Sequence, residues 1–232
     1  CVYYNTFYNA LKRYREADQK RSEAESKVGD RRSKNEYRRL YMNAIEKASV
    51  VLDRHPKSKW VDDSLLLIGK AFYWREDYKE ALLKFQELRE NFQKSPLLRE
   101  ARYWRGLTLQ AMGKTEDARI VLAEIGSDPD ASFGSRARLA LAELEAQQGN
   151  YEAAITAYER LLSQSERGDR LRAQVWKGIG DALVELKRYR EAEVAFRNVL
   201  KSKPDTGIDY YARLRIGELM ELQGDLEGAM EK

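Results

Sequence analysis

The sequence predicts an all-α chain of stacked antiparallel helix pairs, an α-solenoid, on three observations. First, a small residue is followed twelve positions later by an alanine at Gly69 and Ala81, Gly106 and Ala118, Gly180 and Ala192, and Gly217 and Ala229, with Ala142 and Ala154 as a further instance. Second, the alanines step by 37, 36, 38 and 37 residues. A period within about 20–50 residues marks a repeat array, not a single globular core. Third, apolar residues around each landmark recur at helical spacing on both sides of a polar break.

The segments follow in chain order. Tyr3 with Phe7 and Tyr4 with Tyr8 lie one helical turn apart, and Leu11 and Tyr14 continue their faces. Ala44, Ala48 and Pro56 stand in register with a second helix, 37 residues before the Ala81 landmark. Leu65, Ile68, Gly69 and Phe72, then Ala81, Phe85 and Leu88, form a well-matched pair. The next, with Gly106, Leu109, Ala118 and Leu122, is weaker because Arg102 stands where a large apolar residue is expected. In the Ala142 unit Glu145 is the polar intruder, while Ala154, Tyr158 and Leu161 restore the second helix. Trp176, Ile179 and Leu183 precede Ala192, Phe196 and Val199, and Pro204 stops that helix because proline lacks the N–H and restricts the residue before it. Small residues at Gly180 and Ala192 are expected to let two backbones approach closely. The last unit reaches Ala229 shortly before Lys232, too short to cover the preceding apolar face, so the natural chain is expected to continue.

The spacing from Trp176 through Ile179, Gly180 and Leu183 to Ala192, Phe196 and Pro204 resembles the tetratricopeptide repeat (TPR). The usual TPR period is about 34 residues, so the extra residues are expected between units. The string HPKSKWVDDSLLLIGKAFYWREDYKEALLKF resembles the linker and helix pair of BamD-like bacterial outer-membrane TPR lipoproteins. Two parts are expected: residues 1–57, an atypical capping helical pair bearing the anchor cysteine, and 58–232, an array of about five units with the last incomplete.

Cys1 is the only cysteine and the first residue, which excludes an internal disulfide. The arrangement resembles a mature bacterial lipoprotein, implying acylation at Cys1, and Val2 in place of aspartate fits outer-membrane sorting in that family pattern. Tyrosine-rich turns behind it suit an interface between lipid and water, or the capping of the first repeat. Residues 1–60 hold 15 Lys and Arg against 8 Asp and Glu, +7, while the remainder is −3. That basic start suits anionic headgroups, an acidic partner or plain solvation. No run of about 20 apolar residues is present.

Reactive chemistry finds no foothold. The sole histidine, His55, precedes Pro56 at a helix end and complements the helix dipole there. One histidine and one terminal cysteine assemble no ordinary zinc site, and no catalytic residue, metal or cofactor is expected. Gly178 and Gly180 form a G-x-G inside a helix, where close packing is the reading. A net charge of +4 gives nucleic acid little to bind, and no small-molecule substrate is expected.

What remains is surface. The first helix of each pair lines the concave side of such arrays, where peptides or partner helices lie. Residues three before and one after each landmark place Leu66, Lys70, Tyr103, Leu107, Leu139, Glu143, Lys177, Asp181, Leu214 and Glu218 in the groove, with Tyr73 beside them. The functional expectation is a non-enzymatic, lipid-anchored scaffold on the periplasmic face of the bacterial outer membrane, binding other envelope proteins or peptides through that face and the membrane through Cys1. Outer-membrane protein assembly is one version. The alternatives are an accessory subunit of a larger membrane or filament complex and a soluble TPR adaptor of the periplasm or cytoplasm.

Overall fold

The computed structural model describes residues 2–25, 31–127, 133–164 and 171–224, and among these it contains eleven α-helices and no strand. The chain divides into two compact units, Cys1–Ile125 and Gly126–Lys232. The first holds α1 (Val2–Glu25), α2 (Arg31–Arg54), α3 (Val61–Trp74), α4 (Tyr78–Asn91), α5 (Leu98–Ala111) and α6 (Thr115–Gly126, whose last residue opens the second unit). The second holds α7 (Gly134–Gln147), α8 (Tyr151–Gln164), α9 (Leu171–Glu185), α10 (Tyr189–Lys201) and α11 (Thr206–Leu222). The expected boundary at 57/58 falls between α2 and α3, inside the first unit. Cys1 and Ala229 lie outside the described residues.

The helices pair as the repeat predicts, and the turn inside each pair is the same device. Segments 75–77, 112–114, 148–150 and 186–188 join first to second helix. In each, the middle residue is left-handed: Glu76 at φ 68°, Gly113 at 72°, Gly149 at 82° and Lys187 at 59°. The next residue's N–H reaches back five positions, Asp77 to Phe72 O, Lys114 to Leu109 O, Asn150 to Glu145 O and Arg188 to Leu183 O. This Schellman closure satisfies orphan carbonyls at the end of one helix and delivers the chain directly into the next. The described connections between pairs, 55–60, 92–97 and 202–205, are longer and vary, which places the extra residues of the period there.

The landmark residues pack through both small positions and the large side chains beside them. Ala81, Ala118 and Ala192 are fully buried. The side chain seated on Gly69, Gly106 and Gly180 is the large one a turn beyond the alanine, while Gly217 meets no atom within 4 Å among the described residues. A Cβ on Gly69 would strike the Phe85 ring, one on Gly106 would come within 2.7 Å of Leu122, and one on Gly180 within 2.8 Å of Phe196. Each of these glycines is a notch for a ring or a branched chain, and burying such a side chain stabilises by roughly 1.5–3 kcal/mol. The G-x-G resolves into two such notches, because Gly178 turns to Tyr158 of α8 while Gly180 faces Phe196 of α10.

The two polar intruders are accommodated at the surface. Arg102 is exposed, and Glu145 accepts a hydrogen bond from Asn150 Nδ2 at 2.9 Å. At the N-terminus, Phe7 stacks on Trp60 with centroids 5.1 Å apart, and Tyr14 packs edge-on to the buried Tyr41 at 5.4 Å, so these rings join the first unit's core.

Candidate functional site

In the first unit α1 touches α3 and α3 touches α5 in addition to the contacts within pairs, so first helices lie side by side and form one face. That inner face is aromatic. Trp104 of α5 is the hub: its ring lies 5.2 Å from Tyr73, 5.7 Å from Trp74 and 5.9 Å from Tyr103, all near edge-on, the arrangement favoured by ring quadrupoles. Tyr73 also meets Tyr78 at 5.8 Å.

Two cations hold the rings. The Arg21 guanidinium of α1 sits 3.7 Å above Trp74, close enough for a cation–π contact of about 1–2 kcal/mol. Lys70 of α3 bonds Glu100 of α5 at 2.7 Å and stands 5.4 Å from the Trp104 ring and 5.6 Å from that of Tyr14. Glu100 also accepts from the Trp104 indole N–H at 3.2 Å. Burial raises the pKa of Tyr14 far above the usual phenol range, with the Asp18 charge adding to it, so its hydroxyl stays protonated. Tyr41 is raised likewise by burial and by the bond it donates to Asp18 at 2.6 Å.

The second unit has the same construction, with α7 touching α9 and α9 touching α11. Its inner face is polar. Lys177 and Asp181, one turn apart on α9, bond at 2.7 Å. From α11, Tyr211 donates to Asp181 at 2.7 Å and presents its ring 4.4 Å from Lys177. Burial, the bond to Asp181 and that carboxylate's charge keep the Tyr211 phenol protonated. Glu143 of α7 is half-buried with no hydrogen bond or ion pair among the described residues. Burial pushes its pKa up, and the Lys177 charge partly restores it.

The sequence-derived positions thus fall on these faces unequally. Lys70, Tyr73, Tyr103 and Leu107 on one, and Glu143, Lys177, Asp181 and Glu218 on the other, are partly exposed, and Leu214 is open to solvent. Leu66 and Leu139 are buried and offer no groove surface. They occupy the edge of the core-facing stripe, where an apolar chain turns inward but a lysine or tyrosine extends outward. Sequence reasoning missed Trp74, Trp104, Glu100 and Tyr211. The first three were within reach, since Trp74 lies one turn beyond Lys70, and Glu100 and Trp104 are themselves one turn apart.

Both faces offer rings and fixed charges, the means of holding a protein segment. Among the described residues no cluster of three metal-ligating side chains occurs, and no helix is long and apolar enough to cross a membrane.

A family model described as outer membrane lipoprotein matches residues 19–132, and one described as tetratricopeptide repeat matches residues 135–205. The chain has the tetratricopeptide repeat fold, and residues 135–205 match that family. The TPR fold extends to solved structures of low identity. A TPR protein from Parabacteroides merdae is 17% identical, with 97% of this chain and 90% of that one covered and a TM-score of 0.63. PilW, a type IV pilus biogenesis factor, is 15% identical over 90% of this chain and 89% of its own, with a TM-score of 0.65. The Rap conjugation gene regulator of plasmid pLS20, in complex with the Phr* peptide, is 16% identical over 86% of this chain and 58% of its own, with a TM-score of 0.61. A comparison with curated proteins gives no match.

Proposed function

We propose that this TPR protein is a non-enzymatic scaffold, lipid-anchored through Cys1 to the periplasmic face of the bacterial outer membrane, that holds segments of envelope proteins on its inner faces. The observation that carries the binding role is the aromatic inner face of the first unit, where Tyr73, Trp74, Tyr103 and Trp104 form a continuous ring surface flanked by Arg21 and Lys70. Rigid rings give large contact area at low entropic cost, and aromatic and Arg residues dominate binding hot spots. The polar face of the second unit, with Lys177, Asp181 and Tyr211, would hold a segment of its own through charge and hydrogen bonds. Support for the envelope comes from the match of residues 19–132 to an outer membrane lipoprotein family, with a cysteine upstream of the matched stretch.

Two measurements test the reading. A photo-crosslinking residue at Tyr103, in cells, should capture a membrane-associated protein, and the same residue on the outer surface at Leu83 should not. Mass spectrometry of the N-terminal peptide should find Cys1 acylated. An unmodified cysteine or an extended N-terminus removes the anchor, and equal capture from both positions removes the binding face. For a part in outer-membrane protein assembly, the protein should co-purify from detergent with a β-barrel-containing partner. Recovery alone, under conditions that preserve other envelope complexes, counts against that role.

A further inference from the structure

The residue that weakens the repeat pattern opens a second site. On α5, Leu98, Arg102 and Arg105 turn to a different side from Tyr103 and Trp104, by the 100° step of the helix, with Ala101 at the border. There a cleft of about 290 Å³ runs between α4, α5 and α6. Phe85, Leu98, Ala101 and Val121 give it an apolar lining, and Ile120 is 58% exposed beside them. Arg89 of α4 and Arg102 and Arg105 of α5 make one wall basic, while Asp117 and Glu124 of α6 stand on the other.

The same position in other repeats shows what is unusual here. Four residues before the landmark, Leu65 is buried in the core. Arg138, within the second unit, donates to Gly126 O at 2.9 Å and Ser135 Oγ at 3.2 Å, and Arg213 bonds Asp209 at 2.7 Å. Arg102 has only a long contact, 3.7 Å to Glu124, with both side chains more than half exposed. Arg105 has no hydrogen bond or ion pair among the described residues. An apolar residue at 102 would have filled the cleft. An arginine there leaves it open and places a guanidinium at its mouth.

We propose that this outer cleft docks an acidic protein segment, one carrying a bulky apolar side chain flanked by carboxylates. The apolar side chain enters among Phe85, Leu98 and Val121, and the carboxylates pair with Arg102 and Arg105, the planar forks best suited to them. The volume is at the low end of ligand pockets, which span about 300–1,000 Å³, so it takes one or two side chains and not a folded surface. This site is independent of the inner-face reading, and its test separates the two.

The probe is a short fluorescein-labelled peptide of alternating Glu and Leu, titrated against the full chain by anisotropy. Saturable, salt-sensitive binding is expected, weakened about tenfold or more by the combined Arg102→Glu and Arg105→Glu substitutions and by Ile120→Ser to a smaller degree. Replacing the peptide's leucines with serine should abolish binding, and Trp104→Ala should leave it unchanged. If the double reversal unfolds the chain, Arg102→Gln with Arg105→Gln replaces it and should weaken binding severalfold. The proposal is overturned if folded arginine variants bind as the parent does, if a Trp104→Ala variant shown to be folded loses binding, or if phosphatidylglycerol vesicles bind the cleft while the peptide does not.

Discussion

The inner face of the first unit is made of rings and that of the second of charges, although both are built on the same helix pair. The difference comes from a few positions. Where α3 and α5 carry Trp74, Tyr103 and Trp104, α9 carries Lys177 and Asp181, and α11 sets the Tyr211 ring against them. The core positions are interchangeable, with Phe85 and Phe196 each seated on a glycine. A repeat therefore separates what holds it together from what it presents, and the two can vary independently.

The strongest way to break that comparison is to remove the shared element. Phe85→Ala and Phe196→Ala should each cost about 3–5 kcal/mol, each in its own unit. Trp176 is the only tryptophan beyond residue 125, so with Trp60, Trp74 and Trp104 replaced by Phe its fluorescence follows the second unit alone in a urea titration. Phe196→Ala should shift that signal strongly and Phe85→Ala weakly. Equal shifts would mean that the units unfold as one block.

The next effect isolates the polar face. Asp181→Ala strands the Tyr211 hydroxyl and the Lys177 ammonium, and should cost about 1–3 kcal/mol in the same titration, with little change when only Lys177 is replaced by methionine. A smaller gain is expected at a turn. Lys187 adopts a left-handed conformation that costs an L side chain about 1–2 kcal/mol, partly offset by the extra freedom glycine has when unfolded, so Lys187→Gly should stabilise by about 0.5–1 kcal/mol. Gly149→Ala should lose a similar amount, and thermal melts read both.

The smallest effect depends on pH. Burial raises the pKa of Glu143, so its protonated form is the one the fold favours. The stability associated with that proton is present below the usual carboxylate range and is lost as pH rises through the raised value. Glu143→Gln should accordingly raise the melting temperature at neutral pH and give no gain in acid. A gain that persists in acid would show that packing, not titration, is responsible.

The helix pairs, their turns and their period were legible because they rest on local chemistry: helical spacing, small residues at fixed positions, and proline at an end. The partner of each glycine was not, since a close approach of Ala81 to Gly69 and a ring from Phe85 resting on it leave the same small-residue signature. The inner-face positions could be placed by register, but the links between them run from Lys70 to Glu100 and from Lys177 to Tyr211. Those contacts join one repeat to the next, and nothing local to either residue encodes them. Leu66 and Leu139 show the converse, since register put them on the groove and their chemistry turned them inward.

Gly178 and Gly180 grip α9 from two sides, against Tyr158 and Phe196. Adding one residue between the two glycines would rotate everything after it by about 100° and could keep only one of the two rings in place. A change of length in the segments joining one hairpin to the next leaves every such grip intact, so those joints are where this array tolerates a change of spacing at least cost.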